Sequence, residues 1–226
     1  MYKTFETSHR LADFQAYFLL WLELLITILV VGLAVADDKA GPGKTVWTFH
    51  DDTDGKIAKG FKQEVGEWKV VTDVGEKVLA QQAKNSNSIF NLVLATETNA
   101  KDVDLSVRMK AVAGETDQGG GLVWRAKDKG NYYLARFNPL EDNYRLYKVQ
   151  DGKRSLFLDA DIKPTPGWHT LRVTMKGDQI ETYFDGKKYH EHKDSTFTEA
   201  GMIGLWSKAD AQSYFDDLTL ISGKPE

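Results

Sequence analysis

The chain has 226 residues, 42% of them hydrophobic, with a formal net charge of -4 and no cysteine. That length suits one good-sized core. The charge argues against nucleic acid as a partner, and the missing thiols exclude a disulfide scaffold, a thiolate metal site and a cysteine nucleophile.

Near the N-terminus, Leu24 to Leu33 (LLITILVVGL) is an apolar run, followed by Ala34-Val35-Ala36 and then Asp37-Asp38. This is the pattern of a secretory h-region with a small-x-small cleavage site. Residues 1–36 are therefore expected to be a signal peptide, and the protein to be secreted or periplasmic. The alternative is an uncleaved N-terminal anchor, the one case in which a membrane becomes a partner. Glu23 weighs against it, since a charge inside a span is costly. Residues 37–45 read as a polar linker and residues 46–222 as the folded domain.

Short apolar runs separated by turn residues follow. Val46–His50 reads as a strand that ends in the acidic turn Asp51-Asp52-Thr53-Asp54-Gly55. The turn fails as a helix-loop-helix calcium loop, because His50 and Phe61 stand at the first and twelfth ligand positions. Glu67–Val71, Val78–Gln82 and Ile89–Leu94 are the next candidate strands. Asp102–Ala111 alternates apolar and polar residues, as a half-buried antiparallel strand does. Gly119 to Val149 reads as three strands joined by the turns Lys127–Gly130 and Pro139–Asp142. Beyond them, Arg154–Leu158, Trp168–Lys176, Gln179–Phe184, Lys188–His192, Met202–Ser207 and Ser213–Ile221 complete the set. No stretch after residue 36 holds a helical period. The expected class is all-β, an antiparallel sandwich or barrel.

Four-residue turns fix the pairing of the middle three strands: Arg125 opposite Tyr132, and Arg136 opposite Arg145. One face then collects Leu122, Trp124, Tyr133, Ala135, Phe137, Tyr144 and Leu146, a core. The other collects Arg125, Tyr132, Arg136, Asn138, Asn143, Arg145 and Tyr147. Two arginines in direct cross-strand contact repel, so something negative or hydroxyl-rich is expected among them. Either a ligand supplies it, or a neighbouring strand or loop supplies Asp or Glu and the arginines brace the sandwich. Trp206, on the opposite strand face from Ile203 and Leu205, is a stacking platform or a core residue.

Several segments carry a resemblance: Gly66–Val70, Val78–Gln81, Asp104–Arg108, Gly119–Arg125, Asn131–Tyr133, Leu140–Asn143, Trp168–Val173, Gly204–Trp206 and Tyr214–Leu218. Together they resemble secreted bacterial domains of the concanavalin A-like lectin/glucanase superfamily, among them laminin-G-like jelly rolls and 3-keto-disaccharide hydrolase-like domains. The resemblance implies a two-sheet jelly-roll β-sandwich with a carbohydrate held on a concave face. The Glu-x-Asp-x-x-Glu strand motif of the family-16 hydrolases, whose paired carboxyls do the chemistry, is not found. The expected function is carbohydrate binding by Arg125, Tyr132, Arg136, Asn138, Asn143, Arg145, Tyr147 and Trp206. A glycoside hydrolase-like enzyme and a structural or adhesion domain are the alternatives. No cofactor is required. Asp51, Asp52 and Asp216 are candidates for the structural Ca2+ that the resemblance implies where terminal strands pair.

Overall fold

The computed structural model describes residues 43–223. The signal peptide or anchor, and most of the expected linker, lie outside the described residues. Every regular element described is a strand.

The eight-stranded sheet is built from β1 (Gly43–Trp47), β3 (Trp68–Asp73), β4 (Glu76–Gln81), β6 (Val103–Ala113), β11 (Trp168–Lys176), β12 (Gln179–Phe184), β13 (Lys187–Lys193) and β15 (Gln212–Ser222). Its order is β13-β12-β11-β6-β15-β4-β3, and β1 pairs with β15. The seven-stranded sheet contains β2 (Phe61–Val65), β5 (Phe90–Ala100), β7 (Gly120–Asp128), β8 (Asn131–Asn138), β9 (Asn143–Gln150), β10 (Lys153–Asp161) and β14 (Gly201–Lys208), in the order β10-β9-β8-β7-β14-β5-β2. All pairings given by register are antiparallel. The domain is an all-β jelly-roll sandwich. Its first strand begins at Gly43, inside the stretch expected to be linker.

The core between the sheets follows from strand alternation. Val103, Leu105, Val107 and Met109 of β6 point inward with Leu171, Val173 and Met175 of β11. Opposite them lie Leu122, Trp124, Tyr133, Ala135, Phe137, Tyr144 and Leu146 of the meander. Trp124 stacks on Tyr133 at 5.6 Å and donates its indole N–H to the Met175 sulfur. Aromatic pairs of this kind add about 0.5–1.5 kcal/mol beyond the area they bury.

The seven-stranded sheet is apolar on its outer face as well. Leu92, Leu94, Val123, Tyr132, Leu134, Tyr147, Val149 and Trp206 form a second cluster there. Within the β8–β9 hairpin the polar residues of that face, Arg136, Asn138, Asn143 and Arg145, gather at the turn end, and this shapes the candidate site.

His190 of β13 is buried against Tyr144, with ring centroids 5.4 Å apart, and its Nδ1 pairs with the Thr182 hydroxyl. Burial pushes its imidazole down to about 4, against a small opposing pull from Asp159. An unfolded histidine titrates near 6.5, so between those two values the unfolded chain binds the extra proton. The stability this ring contributes is complete above pH 6.5 and is lost as pH falls toward 4. The expected loss is about 2–3 kcal/mol. Urea melts between pH 7 and pH 4.5 measure it, and His190→Phe should flatten that part of the profile.

Candidate functional site

The site is assembled where β7 and β9 begin and β8 and β14 end, on the outer face of the seven-stranded sheet. Asn138 pairs with Asn143 across the Pro139–Asp142 turn, and this register sets Arg136 opposite Arg145, as expected. The repulsion is relieved from within. Glu141, in the same turn, accepts from Arg136 Nη1 at 3.2 Å and from Arg145 Nη1 at 2.9 Å, both on Oε2. Asn143 Nδ2 donates to the same oxygen at 3.0 Å. Burial alone would raise the Glu141 carboxyl, but the bonds from Asn143 and Arg136 outweigh it and hold the group down to about 2. Arg145 also donates Nε to Asp159 of β10 at 2.8 Å.

Arg136 is 1% exposed and donates Nη2 at 2.9 Å to Asp117, which is fully buried. The Asp117 carboxylate accepts the Gly119 amide through its other oxygen, at 2.6 Å. A Cβ on Gly119 would lie 2.7 Å from both Arg136 Nε and Asp117 Oδ1, so only glycine leaves room for the pair. The loop carrying Asp117 is held by Asp210, which accepts the amides of Glu115, Thr116 and Asp117 at 2.8–3.1 Å. Burial, the first influence on Asp210, raises its carboxyl; the three amides overcome this and hold it low.

Beside these carboxylates lie Lys208 of β14, with Nζ 3.8 Å from Asp117, and Arg154 of β10. The Arg154 guanidinium stands 4.5 Å from the Tyr147 ring centroid, 5.1 Å from Phe90 and 5.7 Å from Trp206. Trp206 lies on the outer face yet is fully buried, donating its indole N–H to the Tyr132 hydroxyl at 3.1 Å. The arrangement offers fixed acceptors on Glu141 and Asp159 and donors on Arg145 and Arg154. Of the rings alongside, Tyr147 and Trp206 are buried and only Phe90 is partly exposed.

The structure therefore brings Arg136, Asn138, Asn143, Arg145, Tyr147 and Trp206 to one face, and pairs both meander arginines with the chain's own carboxylates. Tyr132 sits below them, fully buried. Arg125 is elsewhere. The expected register holds from Gly120 to Trp124 and breaks at Arg125, which adopts φ 46° at a bulge before a tighter turn. Its side chain is buried and donates to the backbone carbonyls of Lys101, Phe197 and Gly177 at 2.6–2.7 Å. It joins three segments and does not share the Arg136–Arg145 cluster.

Sequence reasoning missed Asp117, Asp159, Arg154, Lys208 and the bridging role of Glu141. Asp159 and Arg154 were within reach, since the Asp151-Gly152 turn pairs β9 with β10. A bulge at Phe157 shifts that register. Asp117 sits in an irregular loop that no pattern marks.

Asp51, Asp52 and Asp216 are not gathered into a cage. Asp52 accepts the Lys59 amide at 2.8 Å, Asp216 accepts the Asp217 amide at the β15 bulge, also at 2.8 Å, and Asp51 is exposed. Among the described residues no cluster of three or more His, Asp or Glu side chains is placed to hold a metal.

Known proteins share this sandwich. A carbohydrate-binding module, CBM66, from Bacillus subtilis superposes with a TM-score of 0.62 at 21% identity, covering 75% of this chain and 99% of that one. The chain is 25% identical over 166 residues to the levanase of Bacillus subtilis, covering 70% of this chain and 23% of that protein. It is 26% identical over 161 residues to an extracellular exo-alpha-L-arabinofuranosidase of Streptomyces chartreusis, covering 70% of this chain and 18% of that protein. It thus spans less than a quarter of the length of these two curated relatives. Residues 48–221 match the model of the 3-keto-alpha-glucoside-1,2-lyase-like domain, and the chain belongs to that family.

Proposed function

We propose that the domain is an extracytoplasmic carbohydrate-binding module that holds a glycan at the Glu141–Arg145–Asp159 cluster. The observation that carries this reading is the posture of Glu141. Three donors converge on Oε2, while Oε1 has no hydrogen-bond partner among the described residues and the side chain is 38% exposed. A carboxylate fixed in this way meets sugar hydroxyls without losing rotamer freedom on binding. Arg145 and Asp159 are also partly exposed, at 28% and 40%, and present a donor and an acceptor at its side. The names of the relatives, a carbohydrate-binding module and two glycan-degrading enzymes, support a carbohydrate ligand. The apolar run and the cleavage pattern before Asp37 support export.

Arg136 is assigned a bracing role. It is buried, and it sets Glu141 and Asp117 in place. Glu141→Gln should weaken glycan binding about tenfold, because the amide puts a donor where acceptors are needed and loosens its hold on both arginines. Titration calorimetry across a glycan panel checks this. Unchanged affinity in Glu141→Gln and in Arg145→Ala would remove the site.

A second reading, glycan cleavage, draws on the family description and on Asp117 and Glu141 both being held by Arg136. Retaining or inverting hydrolysis needs one protonated carboxyl, which Glu141, held ionised, does not supply; an elimination instead needs a base, the role an ionised Glu141 fits. Incubation with 3-keto-glucosides separates the readings: product release that Glu141→Gln abolishes would favour the enzyme.

A further inference from the structure

We propose that the sugar held at this site carries a carboxylate, so that the ligand is a uronic acid or a glycan ending in one, with the carboxylate seated against Arg154 and Lys208. This rests on the glycan-binding reading above.

The first support is the charge count. Arg136, Arg145, Arg154 and Lys208 surround Asp117, Glu141 and Asp159. Four cations meet three anions. Arg136, Arg145 and Lys208 each have a carboxylate within 4 Å, whereas Arg154 has neither an ion-pair partner nor a hydrogen bond among the described residues. The aromatic rings near its guanidinium answer part of its charge. Ring faces accept no edge N–H, and those donors are what a carboxylate takes, often two at once.

The second support is independent of charge. Among the described residues four buried side-chain polar atoms lack a hydrogen-bond partner, and three of them lie in this cluster: Arg136 Nε, Asn138 Nδ2 and Arg154 Nη1. All three are donors. Arg136 and Asn138 are almost wholly buried, where an unmade hydrogen bond is expensive. A neutral sugar brings hydroxyls, each donor and acceptor together. A carboxylate is acceptor only, the complement to the unpaired, partly exposed Arg154; Arg136 Nε and Asn138 Nδ2 are closed to solvent and mark the local excess of donors without touching the ligand. Glu141 Oε1 and Asp159 then take hydroxyls of the same ring, and the apolar sugar face lies toward Phe90, the partly exposed ring beside Arg154.

The test is calorimetry on the full chain with glucuronate- and galacturonate-terminated di- and trisaccharides, their neutral glucose and galactose counterparts, and an O-sulfated neutral analogue. The acidic sugars should bind about tenfold or more tighter than their neutral counterparts, with the preference shrinking between 50 and 500 mM salt, about as exposed charge pairs do. In Arg154→Met, which keeps the apolar stem, the acidic-to-neutral ratio should fall to near one. Thermal melting checks that the variant is folded; should it not be, Lys208→Met takes its place. Equal affinity for acidic and neutral sugars, or a ratio that survives both substitutions, overturns the carboxylate. So does a sulfated sugar bound as tightly as the uronate. Failure of every sugar to bind sinks the underlying glycan reading instead.

Discussion

Replacing Asp117 with alanine should destabilise the domain by about 3–5 kcal/mol, the range for breaking a buried ion pair from one side. Arg136 is 1% exposed, and among the described residues Asp117 is its only fully buried acidic partner. Without it, a guanidinium that already has Nε unpaired keeps only Glu141 and Asn143. Lys208 loses its nearby carboxylate as well. Urea denaturation measures the loss. The double variant Asp117→Ala/Arg136→Met should recover part of it, because the stranded charge is gone and the site closes with apolar atoms. A cost below about 1 kcal/mol, the range for exposed pairs, would mean that solvent reaches Arg136 freely.

Arg125→Met should cost a comparable amount, about 3–5 kcal/mol, and leave glycan affinity unchanged. Three backbone carbonyls, from Lys101, Gly177 and Phe197, end on this one guanidinium. Bonds to a charged donor are worth about 1.5–3 kcal/mol each, and methionine leaves all three acceptors to find water. The lost burial of the cation offsets part of the sum, since burial lowers the Arg125 pKa more than Asp102, at 3.4 Å, restores it. Equilibrium melts and a glycan titration on the same variant separate the two effects. A loss of affinity without a loss of stability would return Arg125 to the binding face.

The sandwich was legible because alternation is strong where one face is core. Trp168–Lys176 and Gln179–Phe184 form strands with the limits their patterns suggest. β2 was missed, for Phe61-Lys62-Gln63-Glu64-Val65 has apolar residues only at its ends and lies at a sheet edge with a bulge. The Pro139–Asp142 turn gave the arginine pair correctly. The preceding hairpin failed at Arg125, because a positive φ at arginine leaves no trace in composition, whereas glycine would have marked it. The polar face expected along the whole meander shrinks to one end. Tyr132, Leu134 and Val149 belong to an outer apolar cluster that strict alternation does not anticipate. The carboxylates answering Arg136 come from a turn and a loop, where side-chain direction depends on backbone bonds that periodicity cannot express.

Asp210 has a consequence for how the molecule comes into being. Its carboxylate grips amides that precede it by 93–95 residues. The loop carrying Asp117 therefore gains these restraints only once the β14–β15 connection has docked. Closing so long a loop is slow compared with local hairpin formation. A nascent chain can complete the β7–β9 hairpins well before Asp210 leaves the ribosome, with Arg136 still waiting for its principal counter-ion. Closure of the Asp117–Arg136 pair should thus come late in refolding, lagging behind the burial of Trp124.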